Sequence, residues 1–599
     1  MCGMMLKRRW ALARKNKAYS DSYIAFLIVV CGVFISCITV FWGYDILPDY
    51  QDKLVHLRRI AALADTLKAG YFPSRIYFSM NRSTGYAMPV FYPDLFLYLP
   101  SFLYIIGIPL SCCYAVYVVI VNVATAIISY LCLLGFLNGD KLAAALMSLV
   151  YTVSVYRLTD VYIRDALGEY TAMAFLPLVI YGFCKIYAQP QVNSTNTKAG
   201  MINDSLPLGM GMAALVSSHI LTTSITVFFL IVLSVVFIKK TFKPFVLKRL
   251  LLSVLICLLL SLYFIVPFID YILSDRYLVS ESSKTMRGFY PGWRELLELI
   301  PSGSGSGIAY ELRMPTQAGA AITAILAAWF VRNVIRIFKI KKAGRFGKED
   351  RRILGYGTIL FVFTGLFMFI SSKYFPWTKI ESWDNAVSGI ICSVQFSWRY
   401  LGFATVTAVF LGGILISDIR NNSKTGAALL GCMIFILAAV PAVTLEYRAC
   451  LENRHVFIEK AESIGIVSDE LYFPATWNRE ASYDMVPVTD DGNVISDFQY
   501  EKYRWTVNID GGYVNRVLFP IVYYKGYTAQ GVEGTILDVN ASADGRVEVD
   551  LPSGFDGTFV LRFRSPLYWR ISEISSLLML MLLIHHRVLE RHKHTLPES

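Results

Sequence analysis

Three short stretches of the chain carry acids, bases and guanidinium groups at spacings that suit proton transfer and anion binding. In the first, Asp52, His56 and Arg59 follow at intervals of four and three residues, which places them within about 60° of each other on a helix. A carboxylate beside an imidazole and a guanidinium can accept a proton and hold an anion. A solvated helix face with an Asp–His pair would give the same pattern.

The second stretch holds five charged residues within thirteen positions, namely Arg157, Asp160, Arg164, Asp165 and Glu169. On a continuous helix, Arg157, Asp160 and Arg164 would share one face, and Asp165 and Glu169 another. Charges that face a cavity at a membrane boundary are candidates for function. The alternative is an ion-pair network that only joins two apolar spans.

The third stretch opens an apolar run and contains Gln395 and Arg399. An arginine just inside an apolar boundary is costly unless it is paired, and its planar fork suits a phosphate. Alternatively, the side chain reaches out to lipid headgroups. His219, in a turn between two apolar runs, is a further candidate, although a lone histidine there commonly serves only as a hydrogen-bonding residue.

The elements that position these stretches are membrane spans. Of the 599 residues, 55% are hydrophobic and only 17% are charged, against about 25% charged residues in soluble domains. The apolar residues gather in runs of the length that crosses a bilayer. We predict a polytopic α-helical membrane protein with about twelve spans, near 23–42, 112–135, 141–156, 170–187, 205–218, 219–238, 249–268, 316–335, 353–371, 399–417, 426–444 and 571–586.

The net charge of +12 does not indicate a nucleic-acid partner. Lys and Arg cluster in short loops beside the apolar runs, as orientation in a membrane requires. No basic stripe interleaved with aromatic residues follows a soluble domain. Membrane lipids are therefore the expected surroundings, and no nucleic acid is expected to bind.

Orientation follows from the same charges. Basic residues before the first span place the N-terminus in the cytoplasm. The segment 92–108 is apolar but contains Asp94 and two prolines, and counting it as a span would place the loop 332–352, with nine Lys or Arg residues, outside the cell. We therefore predict a re-entrant or interfacial element at 92–108, both termini in the cytoplasm, and the three charged stretches on the outer side.

Three regions follow from this topology: a transmembrane domain at 1–444, an extracytoplasmic β-rich domain at 445–570, and a last span with a basic tail at 571–599. In the middle region, polar and apolar residues alternate between turn signals, which predicts a small antiparallel β-sandwich. Its aromatic residues fit either a carbohydrate-binding surface or the core of the domain; they include Trp505, Tyr513, Tyr523, Tyr524 and Tyr527.

The charged stretches resemble the motifs of one family in order and spacing. The first matches a pattern D-x-x-x-H-x-x-R followed by Gly and Phe-Pro at Asp52, His56, Arg59, Gly70, Phe72 and Pro73. The later ones match at Tyr156, Arg157, Arg164, Gly168 and Glu169, and at Gln395, Phe396, Trp398 and Arg399, with Ser397 in place of a proline. The chain thus resembles the YfhO-like bacterial membrane proteins of the GT-C glycosyltransferase superfamily, some of which are described as 6-pyruvoyl-tetrahydropterin synthase-related.

This resemblance implies a GT-C-like enzyme of the bacterial cytoplasmic membrane that uses a polyprenyl-phosphate-linked sugar. It implies a general base in the first outer loop, with Asp52 as first choice and Asp49 and Asp45 as rivals. His56 would orient that base or contact the phosphate. Phosphate contacts would come from Arg59, Arg164, Arg399 and Gln395. Contacts to the acceptor, or to a divalent cation such as Mg or Mn, would come from Asp160, Asp165, Glu169 and His219.

The acceptor implied is a saccharide or lipid of the cell envelope, such as a polysaccharide, teichoic acid, glycolipid or glycoprotein. Two other classes fit the same sequence: a transporter or flippase of lipid-linked saccharides, and a non-catalytic envelope assembly protein. A transporter places paired charges near the bilayer midplane in matching halves. Here the charged stretches are predicted on one side, and the halves do not match.

Overall fold

The structure is a computed structural model that describes residues 2–42, 52–188, 198–282, 286, 290–301, 314–343, 347–452, 457–464, 470–478, 484–510 and 513–595. Asp45 and Asp49, the rivals of Asp52 as catalytic base, lie outside these ranges.

The predicted spans lie on α-helices, because runs of apolar residues in a membrane must satisfy their backbone hydrogen bonds within the segment. The helices are α1 Cys2–Ile35, α2 Ile38–Trp42, α3 Lys53–Lys68, α4 Met88–Phe91, α5 Tyr98–Ile105, α6 Leu110–Phe136, α7 Lys141–Thr152, α8 Val155–Tyr162, α9 Leu167–Met173, α10 Leu176–Tyr187, α11 Lys198–Val216, α12 Ile220–Val236, α13 Ile238–Thr241, α14 Pro244–Ser274, α15 Val279–Ser282, α16 Trp293–Leu296, α17 Ala320–Ala343, α18 Lys348–Ser371, α19 Trp377–Glu381, α20 Ala386–Cys392, α21 Tyr400–Asn422, α22 Lys424–Glu452 and α23 Leu567–Thr595.

Within the described ranges, nine helical segments are long and apolar enough to cross a membrane. They are α6, α7 with α8, α9 with α10, α14, α17, α18, α21, α22 and α23. The three other predicted spans lie on α1, α11 and α12. The fold is therefore that of a polytopic helical membrane protein, as the sequence predicted.

The segment 92–108 is broken into short pieces. A 3-10 turn at Leu95–Leu97 is followed by α5, so the apolar helical stretch is Leu95–Ile105. At about 1.5 Å per residue it reaches roughly half of the ~30 Å hydrocarbon layer. The segment Leu95–Ile105 is therefore too short to span the membrane.

The centre of the bundle is formed by the helices that are buried on all sides, α7 with α8 and α21, whereas α14 and α23 bury a small part of their surface. Small residues allow close approach of neighbouring helices. At Gly182 of α10, a Cβ would lie 2.8 Å from the Cα of Leu208 in α11. These two helices consequently pack backbone to backbone.

The β domain is one antiparallel sheet of eight strands folded on itself. Their order across the sheet is β1-β4-β7-β6-β5-β8-β3-β2. The first two residues of β6 pair with β5 and the other four pair with β7, so β6 belongs to both halves. The strands are β1 Val488–Thr489, β2 Phe498–Glu501, β3 Arg504–Ile509, β4 Arg516–Val522, β5 Tyr527–Gly531, β6 Ile536–Ala541, β7 Arg546–Asp550 and β8 Gly557–Phe563.

Aromatic side chains hold the two halves of the sheet face to face. The ring of Phe519 on β4 lies 5.5 Å from Trp505 on β3 and 6.2 Å from Phe559 on β8. Trp505 is buried, as are Tyr524 and Tyr527. The predicted antiparallel β domain is thus confirmed. Three of the five aromatic residues named above are buried, so they do not form an open carbohydrate-binding surface.

The β domain is fixed to one end of the helical bundle, which we call the β-domain end. Lys525 forms an ion pair of 2.7 Å with Asp270 near the end of α14, and the backbone N–H of Val522 donates to the carbonyl of Thr84. The last helix, α23, starts at Leu567, four residues before the predicted span, and α22 continues past 444 to Glu452.

Candidate active site

The helix α3 lies at the β-domain end and presents the first charged stretch. Its apolar side buries Leu57, Ile60 and Leu63. Asp52 stands at the N-cap and is exposed, whereas His56 and Arg59 are each only 1% exposed. Because two of the three groups are removed from water, the stretch is not a solvated polar face.

Arg59 holds the segment that begins at Tyr92. Its Nη2 donates to the carbonyls of Tyr92 at 3.2 Å and Pro93 at 3.0 Å, and its guanidinium lies 4.0 Å from the centre of the Tyr92 ring. Its Nη1 lies 3.3 Å from Nδ1 of His56. Since these donors face protein atoms, Arg59 is positioned to organise the site, and a phosphate contact from it stays a prediction.

His56 is held as a neutral imidazole. Burial lowers its pKa well below the usual value, and the nearby charge of Arg59 lowers it further. A guanidinium only donates hydrogen bonds, so Nδ1 of His56 is the acceptor and Nε2 carries the proton. His56 therefore offers one N–H donor to a ligand.

The second and third charged stretches meet at Glu169. Its Oε2 accepts from Nη1 of Arg164 at 3.2 Å and from Nε of Arg399 at 3.1 Å. Its Oε1 accepts from the hydroxyl of Tyr156 at 2.5 Å. All of these groups are buried. Asp160 also pairs with Arg164, so two carboxylates face two guanidinium groups in a buried ion-pair network.

Arg164 and Arg399 each use only part of the guanidinium group in contacts within the protein. Arg164 binds Asp160 and Glu169 through Nη1. Arg399 donates from Nη1 to the carbonyl of Val394 at 2.5 Å and to Oε1 of Gln395 at 3.3 Å. Within the described residues, neither Nη2 atom forms a hydrogen bond. Gln395 thus acts on Arg399, and a direct phosphate contact from its amide stays a prediction.

Tyr92 joins the three stretches, and the sequence analysis missed it. Its hydroxyl lies against Gly168, and its ring lies 6.0 Å from His56 and 6.2 Å from His219. The one signal in the sequence was its place beside Asp94 in the broken apolar segment. Tyr92 was treated there only as part of an interfacial element.

Asp52 faces the same cluster. Burial raises the pKa of Tyr92, and the charge of Asp52 raises it further. Burial lowers the pKa of Arg164, but Asp160, Glu169, Tyr156 and Asp52, in that order, together raise it well above its usual value. The predicted base thus lies at the exposed edge of the buried charges.

The predicted helix faces hold only in part. Arg164 pairs with Asp160, as a shared face predicts. Arg157 was placed with Asp160 and Arg164, but its Nη1 donates to Asn122 at 2.7 Å and its Nη2 donates to Thr125 at 2.8 Å. Asp165 was placed with Glu169, but it accepts from the Tyr114 hydroxyl at 3.0 Å. The reason for Asp165 is that the chain leaves the helix between Tyr162 and Leu167, and Asp165 has φ +51°.

His219 caps α12. Its Nδ1 accepts from the backbone N–H of Thr222 at 3.3 Å and lies 2.8 Å from that residue's hydroxyl. The other ring nitrogen of His219, Nε2, takes no part in the cap. The hydroxyl of Ser397 donates to the carbonyl of Ser371 at 2.9 Å and so ties the start of α21 to α18.

The predicted divalent-cation site stays a prediction. No group of three His, Cys, Asp or Glu side chains that could hold a metal ion occurs in the part of the chain that the structure describes. Asp160 and Glu169 instead pair with Arg164.

An apolar cleft lies along the bundle between α10, α12, α18 and α21. At one end it is lined by Leu176, Thr226, Phe229, Phe367 and Phe403, and at the other end by Tyr187, Phe237 and Lys240. Phe403 follows Arg399 by four residues, or one helical turn. This end of the cleft therefore lies about one helical turn from Arg399.

The fold and the site define a polytopic membrane protein with a buried ion cluster at the end that carries its β domain. No family model matches the sequence, and no curated protein matches it. Among solved structures, the chain is similar to the mycobacterial arabinofuranosyltransferase AftD, with 12% identity and a TM-score of 0.40 over 71% of this chain and 27% of that chain. The chain spans about a quarter of the length of AftD.

Proposed function

We propose that the protein is a membrane glycosyltransferase that transfers a sugar from a polyprenyl-phosphate-linked donor to a cell-envelope acceptor. The observation that carries this proposal is the buried Arg164–Glu169–Arg399 cluster, with an apolar cleft whose Phe403 lies about one helical turn from Arg399. A lipid with an anionic head and a long apolar chain has that same division.

The donor would bind with its phosphate beside Arg164 and Arg399. Their Nη2 edges point to no described protein acceptor, and a guanidinium edge can donate hydrogen bonds to phosphate oxygens. The polyprenyl chain would lie in the cleft between α12 and α18, against Phe229 and Phe367. The sugar would then project toward Asp52.

The reaction is a single displacement. Asp52 takes the proton of an acceptor hydroxyl, the hydroxyl oxygen forms a bond to the anomeric carbon, and the bond from that carbon to the phosphate oxygen breaks. The departing polyprenyl phosphate gains the negative charge, which Arg164 and Arg399 stabilise. His56 donates a hydrogen bond from Nε2 to the acceptor or phosphate. Inversion at the anomeric carbon follows.

The test is transfer from a radiolabelled polyprenyl-phosphate sugar by the full chain in lipid nanodiscs. Asp52→Asn should abolish transfer and leave expression and thermal unfolding unchanged. Asp556→Asn, an exposed carboxylate of the β domain, is the matched control and should retain full activity. Transfer by Asp52→Asn at the normal rate would remove Asp52 as base. Movement of the labelled lipid across the membrane without transfer would favour a transporter.

A further inference from the structure

A second, basic cleft lies on the β domain. It encloses about 510 Å³, which is within the range of sites for small molecules and chain segments. Its floor is the face of β2, β3 and β8 that points away from the domain core. Its wall is formed by Ala69, Gly70 and Tyr71, which follow α3 directly.

Four cations and one carboxylate line this cleft, namely Lys502, Arg504, Arg562, Arg564 and Glu501. Trp505 pairs with Leu561 across β3 and β8, and both are buried. Arg504 and Arg562 therefore lie opposite each other on the other face of the sheet. Burial raises the pKa of Tyr71, and the charges of these two arginines act against that rise, so both approach the wall of the cleft.

The four cations are available to a ligand. None of their side chains forms an ion pair within the described ranges, whereas Arg516 on β4 lies 3.5 Å from Asp550 and 3.7 Å from Glu548. With one carboxylate against four cations, the cleft has an excess of three positive charges. A site of this composition favours a ligand that carries several negative charges.

The cleft extends away from the membrane. Arg564 lies three residues before α23, which begins at Leu567 and is a candidate span. At the other end, Gln499 and Thr506 are register partners, two residues, or about 7 Å, further along the strands than Arg504. Their amide and hydroxyl suit sugar hydroxyls. A lipid headgroup would satisfy the membrane-proximal arginines alone.

We propose that this cleft binds an anionic polysaccharide, with carboxylate or phosphate groups on the arginines and sugar hydroxyls on Gln499 and Thr506. This part of the proposal rests on the proposed function: the bound polysaccharide is the acceptor of the transferred sugar. Asp52 and the cleft lie at opposite ends of α3, whose sixteen residues span about 24 Å. The acceptor is therefore a polymer long enough to bridge that distance.

The experiment measures binding of oligogalacturonate, with a neutral maltooligosaccharide of matched length as the control ligand. The full chain is held in phosphatidylcholine nanodiscs. The wild type should bind the acidic oligomer more tightly, and salt should weaken the binding. The double variant Arg504→Gln/Arg562→Gln should bind about tenfold more weakly. Arg516→Gln should bind like the wild type.

Equal binding of oligogalacturonate by the wild type and the double variant would overturn the proposal. A parallel measurement adds phosphatidylglycerol to the nanodiscs. A double variant that binds this lipid more weakly but binds oligogalacturonate like the wild type would also overturn the proposal, because the cleft would then be a headgroup site. Arg504→Lys/Arg562→Lys keeps the charges and should retain most of the binding, which separates charge from folding. Asp52→Asn should bind the oligomer normally, so a failure of sugar transfer and a failure of this cleft are distinguishable.

Discussion

The ring of Tyr92 occupies the space that a side chain at residue 168 would need. A Cβ built on Gly168 would lie 2.8 Å from Cε2 of Tyr92, and closer still to its hydroxyl. Because the ring and Gly168 pack this closely, the contact fixes the segment after α4 against the start of α9, which carries Glu169. Arg59 and Glu169 are positioned through this one approach.

Gly168→Ala should therefore lower the rate of sugar transfer strongly and change the thermal unfolding midpoint only a little. The added methyl displaces Tyr92 by a fraction of an ångström to an ångström, and a shift of that size in a catalytic arrangement can lower the rate about a hundredfold. Transfer rates and thermal unfolding of the purified variant measure the two effects. Gly355→Ala is the control, because a Cβ there meets no atom within 4 Å. Equal activity of both variants would show that the contact does not shape the site.

Glu169→Gln should lower stability sharply. The carboxylate neutralises Arg164 and Arg399 in a buried setting, and removal of one partner from a buried ion pair costs about 3–5 kcal/mol. The comparison is Glu548→Gln on the β domain, which removes the 3.7 Å partner of a half-exposed arginine and should leave the unfolding midpoint nearly unchanged. Similar midpoints for the two variants would contradict the role of Glu169 as the centre of the cluster.

Asp94→Asn should remove a specific part of the pH dependence of stability. Burial raises the pKa of Asp94 to about 6, although Arg59 and Arg75 act in the other direction. The folded state thus binds the proton more tightly than the unfolded state, and the stabilisation present below about pH 4 is lost as the pH rises through 6. That loss amounts to about 3 kcal/mol. Unfolding midpoints from pH 4 to 8 should show this decline in the wild type and not in the variant. A parallel decline in both proteins would assign the effect to another group.

Asp270 should hold the β domain to the bundle. It accepts from Lys525 at 2.7 Å, from the Tyr568 hydroxyl at 2.5 Å and from Nε1 of Trp569 at 2.9 Å. In Asp270→Ala, hydrogen exchange should increase in β8 and at the start of α23, because three interactions are lost at once. Asp275→Ala provides the comparison, since this carboxylate bonds locally to the N–H of Arg276. Unchanged exchange in Asp270→Ala would mean that the aromatic contacts suffice.

Sequence periodicity predicted the elements of this protein and part of its site. Hydrophobic runs located the helices, and charge placement singled out the 92–108 segment as a short element. Periodicity assumes a continuous helix, however. It therefore misplaced Asp165, whose left-handed backbone follows the end of α8.

The contacts that assemble the site depend on tertiary packing. Glu169 and Arg399 are 230 residues apart in the chain, and no local pattern relates them. The motif resemblance named both residues, but it gave no partner for either. Tyr92 was missed for the same reason, because its role comes from the approach of Gly168 and not from its neighbours in sequence.

The apolar cleft makes a prediction about the donor lipid. Thr226 of α12 lines the cleft about two helical turns after His219, so Thr226→Trp should obstruct the polyprenyl chain and leave the arginines in place. The KM for a long polyprenyl-phosphate sugar should rise, whereas a donor with a short prenyl chain, which ends before the obstruction, should keep its KM and kcat. Val235→Trp places the same side chain on the exposed side of α12 and should alter neither donor. If both donors are impaired equally by Thr226→Trp, the lipid does not lie in this cleft, and the phosphate must approach Arg164 and Arg399 from another side.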